Sequence, residues 1–322
     1  MMRFWSGAWA KTIVLLVGLS AVVGCASKAY PIAGQRISSS VTFIPPLATR
    51  TPKTRLRAIA PSPVSTASVT TVPTPDEGPA TLELDLAPEI ALGQHAYTLT
   101  LPLVDDGGLA HTVDVHYLLY LPGGYGRDPQ DPWPLIIFLH GASERGDDPS
   151  VLTRYSIPAF LTGTLDFPFV VLSPQSPLED WWSNQTDVLD ALLNQIQTRY
   201  VVDPKRIYLT GQSMGGFGTW AMALKYPARF AAIVPVASGW DFTSEFIPAN
   251  LCDLKNVPIW VFHGTLDSSV PPDQVTAMVQ TLQACSGNVR FTLYPNADHL
   301  GSSNRAYADP KLYEWLAAQH LP

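Results

Sequence analysis

From about residue 95 to its end, the chain alternates short β-rich apolar runs with stretches whose apolar positions recur at helical spacing. Residues 97–104 and 113–121 are rich in β-branched and aromatic side chains, and the Asp105-Asp106-Gly107-Gly108 between them has turn chemistry, which predicts a hairpin. The runs from Pro134 to Leu139 and from Phe169 to Ser173 are continuously apolar, as expected of strands covered on both faces. Further strands are predicted at Ile207 to Thr210, Ala231 to Ala237, Ile259 to His263 and Val289 to Tyr294. Helices are predicted from about Asp187 to Tyr200, with Val188, Leu189, Leu192, Leu193 and Ile196 on one face, and from Met214 to the residue before Pro227. Another is marked by Val275, Met278, Val279 and Leu282 and stopped at Gly287. The last opens on Asp309-Pro310, a cap followed by proline at the first helical position, and turns Leu312, Trp315 and Leu316 inward. Strand and helix in alternation imply an α/β class with a mostly parallel central sheet and helices on both faces. In such a sheet a ligand binds beyond the carboxyl ends of the strands.

The first 85 residues have no such period. Arg3 and Lys11 precede an apolar run, Ile13 to Val23, that is shorter than the ~20 residues a bilayer requires and has the proportions of a signal-peptide core. Its end, Val22-Val23-Gly24-Cys25, looks like a bacterial lipoprotein processing box, with Cys25 as the lipidated first residue; an ordinary secretory signal with Cys25 incidental is the alternative. Residues 1–24 are therefore expected to be a signal peptide of lipoprotein type, 25–85 a Pro/Ser/Thr-rich tether, and 86–322 the catalytic domain. The expected location is outside the cytoplasm, on a membrane reached through the anchor at Cys25.

The whole chain has a net charge of −7, is 46% hydrophobic and 15% charged, and has ample apolar content for a core. Eight of the Lys and Arg residues but only two of the Asp and Glu lie before residue 81, which leaves twelve basic against twenty-five acidic residues beyond it. That balance repels phosphate backbones and argues against a nucleic-acid partner. The histidines His95, His111 and His116 lie on early strands without metal-ligand spacing, so no metal is expected.

One stretch carries chemistry. In Arg206 to Tyr226 a predicted strand enters Gly211-Gln212-Ser213-Met214-Gly215 and leaves as a helix. The G-x-S-x-G pattern places a serine on a sharp strand-to-helix turn, where neighbouring backbone comes too close for most side chains. A serine hydroxyl is a poor nucleophile until a base takes its proton, and the imidazole base needs a carboxylate to hold its tautomer. Ser213 is followed, each time after a predicted strand, by Asp267 in His263-Gly264-Thr265-Leu266-Asp267 and by His299 in Asn296-Ala297-Asp298-His299. Asp241 competes as the acid and His263 and His320 as the base, with a local hydrogen bond at its strand end the other reading of His263 and solvation after the final helix that of His320, while Asp298 reads as a turn residue. An oxyanion site needs two donors: the amide of Met214, directly after the nucleophile, and the amide of Ala142 in the loop His140-Gly141-Ala142-Ser143. His140 itself reads as a brace for that loop.

The segments FLHGASERGDD, VDPKRIYLTGQSMGGFGTW, PIWVFHGTLDSSVP and VRFTLYPNADH resemble the esterase branch of the α/β-hydrolases. That branch includes phospholipase/carboxylesterases, polyhydroxybutyrate-depolymerase-like and feruloyl-esterase-like proteins, and predicted peptidases related to prolyl oligopeptidase. The resemblance covers about residues 95 to 322 and implies an α/β-hydrolase fold and hydrolysis of a small or polymer-linked carboxylic ester without a cofactor. Two departures bear on substrate preference: Ser143 stands where related loops often have glycine, and Leu300-Gly301 replace polar or aromatic residues after the histidine. Alternatives within and outside the branch are a serine peptidase and a surface-binding protein that has kept the fold and lost turnover.

Trp181, Trp182 and Trp240 each follow a predicted strand and are candidates to line the cleft, Trp182 foremost, with core packing as the competing reading. Glu144 and Arg145 are expected to form a local ion pair, with contact to a polar substrate group as the alternative. About twenty residues separate the strands near Val236 and Ile259, too few for a large cap, which predicts an open cleft. Cys252 and Cys285 are expected to be disulfide-bonded, the alternative being two unlinked buried thiols.

Overall fold

A computed structural model of the chain describes residues 91–104, 107–128, 130–240 and 247–322. The expected signal peptide, Cys25, the tether, the boundary at residue 86, part of the hairpin turn and the competing acid Asp241 all lie outside the described residues. The elements run β1 (Gly93–Val104), β2 (Ala110–Leu121), β3 (Trp133–Leu139), α1 (Ser156–Leu161), β4 (Val170–Pro174), α2 (Thr186–Arg199), β5 (Val202–Gln212) and α3 (Met214–Lys225). They continue with β6 (Ala232–Val236), β7 (Ile259–Gly264), α4 (Pro272–Ala284), β8 (Val289–Tyr294), α5 (His299–Ala308) and α6 (Pro310–Ala317).

The strands form one sheet in the order β1-β2-β4-β3-β5-β6-β7-β8, in which β2 is antiparallel to both neighbours and every pairing from β4 to β8 is parallel. The pleat explains why β3 has no polar position: Leu135, Ile137 and Leu139 enter one core while Ile136 and Phe138 enter the other. The first core is covered by α2, α3 and α4 through Leu189, Leu192, Leu193, Ile196, Trp220, Met222, Val275, Met278 and Leu282. The second is covered by α1, α5 and α6 through Ile157, Leu161, Ala306, Tyr307, Leu312 and Leu316. Each such leucine contributes about 1.5–3 kcal/mol of burial, and cutting Leu192, fully buried, back to alanine should cost about 2–5 kcal/mol. On the outer strand β1, by contrast, exposed and covered positions alternate, and Tyr97 stacks on its cross-strand partner Tyr117 at 5.6 Å.

Three features differ from the expectation. β5 begins at Val202, five residues before Ile207, and runs through Asp203-Pro204, because Trp133 pairs with Val202 before the register shifts to Leu135 with Ile207. α1 and α5 have no counterpart in the hydrophobic pattern. Trp315 is only half-buried, leaving Leu312 and Leu316 as the inward face of α6. Between β6 and β7 the described residues hold one 3-10 turn, Leu251–Leu254, and Cys252 within it is bonded to Cys285 at the end of α4, with the Cα atoms 6.1 Å apart. Closing a loop across 33 residues is worth about 3–4 kcal/mol on the chain-entropy argument.

Candidate active site

Ser213 sits between β5 and α3 with φ 53° and ψ −120°, a conformation that costs a side-chain-bearing residue about 1–3 kcal/mol. The surroundings enforce it. A Cβ on Gly211 would lie 2.3 Å from the carbonyl oxygen of Gly215, and one on Gly215 would lie 1.9 Å from that of Leu139, so both flanking positions exclude any side chain. The Ser213 amide donates to Val236 O at 3.0 Å, and its carbonyl accepts from the amides of Gly216 and Phe217 at 2.8 and 3.1 Å. The backbone is thus fully engaged while the hydroxyl makes no capping bond to α3 and remains half-exposed.

The loops after β7 and β8 meet. His299, the first residue of α5, places Nδ1 2.8 Å from Oδ2 of Asp267. The amides of Ser269 and Val270 donate to the other oxygen, Oδ1, at 3.0 and 2.9 Å. Burial alone would push the Asp267 carboxyl up, but the hydrogen bonds from His299 and Val270 and the two neighbouring imidazoles outweigh it and hold the group below the usual carboxylate range. Asp298 does not compete for His299; its side chain caps α5 by accepting from the Gly301 amide at 2.7 Å. His320 is exposed beyond the end of α6. His263 is fully buried with Nε2 2.9 Å from Val270 O and 3.4 Å from Asp267 Oδ2. A carbonyl can only accept, so the proton is on Nε2, and burial pushes the ring's pKa down. His263 thus makes the local hydrogen bond expected at its strand end, and it stands behind Asp267 as a support.

The loop after β3 runs beside the serine. A Cβ on Gly141 would lie 3.8 Å from Ser213 Cβ and 3.2 Å from Glu144 Oε2. Ala142 opens a 3-10 turn (Ala142–Glu144) and Met214 opens α3, so neither amide has an acceptor within its own helix. His140 is buried, accepts from the Ser176 amide at Nε2 (3.0 Å) and lies 2.6 Å from Gly141 O through Nδ1; burial lowers its pKa to about 4. Glu144 and Arg145 do not form the ion pair expected of them. Glu144 turns inward, with Ser143 Oγ donating to Oε1 at 3.1 Å and Oε2 without a hydrogen bond, and burial pushes its carboxyl up. Arg145 turns outward, donating to the carbonyls of Ala142 (3.1 Å) and Asp180 (3.4 Å) and lying 5.1 Å over the Trp181 ring.

The three tryptophans separate by burial. Trp182, the leading candidate for the cleft, is only 2% exposed, packs under α3 where a Cβ on Gly218 would lie 2.3 Å from its own Cβ, and donates its indole N–H to His140 O at 3.0 Å. With both faces enclosed it has no surface to offer a substrate, which corrects the expectation. Trp181 is 37% exposed and remains a candidate platform. Trp240 is half-buried and packs partly on the core, its amide bonded to Gln274 Oε1 at 2.7 Å. Sequence reasoning missed Ser156, which has φ 55° and donates through Oγ to Oε1 of Gln212, the buried residue immediately before Ser213.

Residues 178–310 match the dienelactone hydrolase family. Feruloyl esterase C of Emericella nidulans is 31% identical over 183 residues, covering 53% of this chain and 62% of that protein. Poly(3-hydroxyalkanoate) depolymerase C of Paucimonas lemoignei is 40% identical over 178 residues, covering 43% of this chain and 42% of that protein. Among solved structures, a thermostable esterase superposes with a TM-score of 0.57 at 30% identity, over 69% of this chain and 63% of its own. The chain spans less than two thirds of the length of each of these relatives.

Proposed function

We propose that this chain, an α/β-hydrolase with esterases for relatives, cleaves carboxylic esters through an acyl-enzyme on Ser213. The observation that carries the reading is the 2.8 Å contact of His299 Nδ1 with an ionised, multiply bonded Asp267, at the same carboxyl end of the sheet as the strained serine. Asp267 holds the proton on Nδ1 of His299, which leaves Nε2 as the basic nitrogen. Nε2 takes the Ser213 proton as Oγ attacks the ester carbonyl, and the amides of Met214 and Ala142 receive the developing oxyanion. Collapse expels the alcohol, protonated by His299; water then attacks the acyl-enzyme with His299 again as base and releases the acid. The chemistry needs no cofactor.

Trp181, and less directly Trp240, line the approach in this reading, and an open cleft suits solvent-exposed or polymer-linked esters. Export with a lipid anchor at Cys25 completes the proposal: the processing box supports the anchor, and the Cys252–Cys285 bond suits an oxidising compartment. Incorporation of labelled palmitate that is lost in Cys25→Ser supports the anchor, and no incorporation in the wild type removes it. Fluorophosphonate labelling tests the nucleophile: adduct on Ser213, abolished in Ser213→Ala along with p-nitrophenyl ester turnover, is expected. Turnover of peptide anilides in preference to esters would instead make the enzyme a peptidase, and labelling without turnover of either would leave a binding protein.

A further inference from the structure

We propose that His140 is a positioning residue of the oxyanion site, acting through the peptide unit that joins Gly141 to Ala142. The inference rests on the reading of the Ala142 amide as an oxyanion donor. The ring's protonation pattern follows from its partners. The Ser176 amide can only donate, so Nε2, 3.0 Å away, carries no proton. The proton is therefore on Nδ1, which donates to Gly141 O at 2.6 Å. Burial, which moves the pKa to about 4, keeps the ring neutral in this tautomer at any pH where an esterase of this kind operates.

Gly141 O and the Ala142 N–H are the two ends of one planar amide. A donor held on the oxygen draws charge across the amide and makes the N–H a stronger donor, and it also fixes the plane in which that N–H points. The connected path runs from the Ser176 amide through Nε2 and Nδ1 of His140 to Gly141 O and out through the Ala142 N–H. It ends beside the nucleophile, since a Cβ on Gly141 would lie 3.8 Å from Ser213 Cβ. The imidazole is itself clamped. The Trp182 indole N–H donates to His140 O at 3.0 Å, and the two rings meet edge to face at 5.0 Å. The other titratable groups facing the ring are Glu144, with Oε2 3.8 Å from Nδ1, and Arg145, whose charge opposes protonation of the ring. Trp182, buried and useless as a substrate platform, has its use here.

His140→Phe keeps an aromatic ring against Trp182 and removes both ring nitrogens. The expected result is a kcat for p-nitrophenyl butyrate lowered by about 10- to 100-fold, less than the ~10²–10³ for outright loss of a donor, with KM nearly unchanged. A trifluoromethyl ketone, which forms a tetrahedral oxyanion adduct with the nucleophile, should lose affinity by the same factor; a merely structural role would not move the two together. His140→Asn places an amide N–H where Nδ1 stood and should recover most of the loss, and it decides the matter if the phenylalanine variant does not fold. A kcat and ketone affinity within a few-fold of wild type in the folded variants, or a fall in kcat with ketone affinity unchanged, overturns the inference. Wild-type protein that the ketone does not inhibit would refute the serine-esterase reading instead, so the two failures are distinguishable.

Discussion

Two strands of the sheet end in the same pattern and use it in opposite ways. β3 delivers His140-Gly141-Ala142-Ser143-Glu144 and β7 delivers His263-Gly264-Thr265-Leu266-Asp267: histidine, glycine, two residues, then an acid. In both the histidine is buried and neutral, and the acid four residues on is buried beside it, at 3.8 Å in the first case and 3.4 Å in the second. After β7 the acid collects donors from His299, Ser269 and Val270 and stays ionised below the usual range. After β3 the acid has one hydroxyl donor and an orphaned oxygen, and burial pushes it up. At Asp267 the hydrogen bonds and the two neighbouring imidazoles outweigh burial, whereas at Glu144 the deeper burial outweighs the hydrogen bonds it receives. One loop holds an ionised carboxylate against His299, and in the other burial disfavours the charge on the carboxyl.

The comparison is most exposed to amide substitutions at the two acids. Asp267→Asn should lower kcat by about 10⁴, because the amide no longer favours the proton on Nδ1 of His299. Glu144→Gln, which keeps the shape and a polar group of a side chain whose charge burial already disfavours, should stay within a few-fold of wild type. Equal losses in p-nitrophenyl ester kinetics would break the contrast.

A second test concerns acid stability. With the folded His140 pKa near 4 against about 6.5 unfolded, the unfolded chain binds its proton first. The stability associated with this group is therefore fully present above pH 6.5 and falls as pH drops to 4, by about 3 kcal/mol in all. His263, also lowered, adds in the same direction. Urea unfolding at pH 7 and pH 5 should show this loss in the wild type and a smaller one in His140→Gln. Glu144 carries the opposite sign, since its raised pKa gives stability that is lost as pH rises through it. Glu144→Gln should accordingly remove the contribution that falls as pH rises above the usual carboxylate range.

A smaller effect is expected at the second histidine. His263→Phe strands Val270 O and loosens the loop whose amides hold Asp267. A lost hydrogen bond of this kind corresponds to about tenfold in kcat, with KM held, and His263→Gln, whose amide N–H stands where Nε2 stood, should recover part of it. An unchanged kcat would show that the β7 loop holds its acid without help, and would sharpen the difference from β3.

The elbow, the order of serine, acid and base, and the doubly covered strands were legible because each is a local pattern with one physical solution. What escaped the pattern depends on partners distant in the chain. α5 is written His299-Leu300-Gly301-Ser302-Ser303-Asn304, poor helix-forming residues, and it forms under the Asp298 cap while burying Ala306 and Tyr307 on the far core. α1 has only six residues, too few to show a period, and begins at Ser156, whose contact with Gln212 spans 56 positions. Arg145 and Glu144 suggested a pair by adjacency, but in the loop one faces solvent and the other the core. Trp182 drew attention by its place after a strand, and Gly218, which gives the indole room, carries no such message in isolation. His140 was legible as a brace for its loop, and the repeated histidine-glycine-acid pattern pointed to His263 as its counterpart.

The left-handed backbone at Ser213 has a thermodynamic corollary. Glycine adopts that conformation with little strain, so Ser213→Gly should raise the melting temperature by about 2–4 °C per kcal/mol recovered while abolishing turnover. A screen for heat resistance that ignores activity would select against Ser213. The residue proposed as nucleophile is thus a position where the chain is further from its most stable sequence, and the tightly packed glycines around it are what prevent the fold from relaxing there.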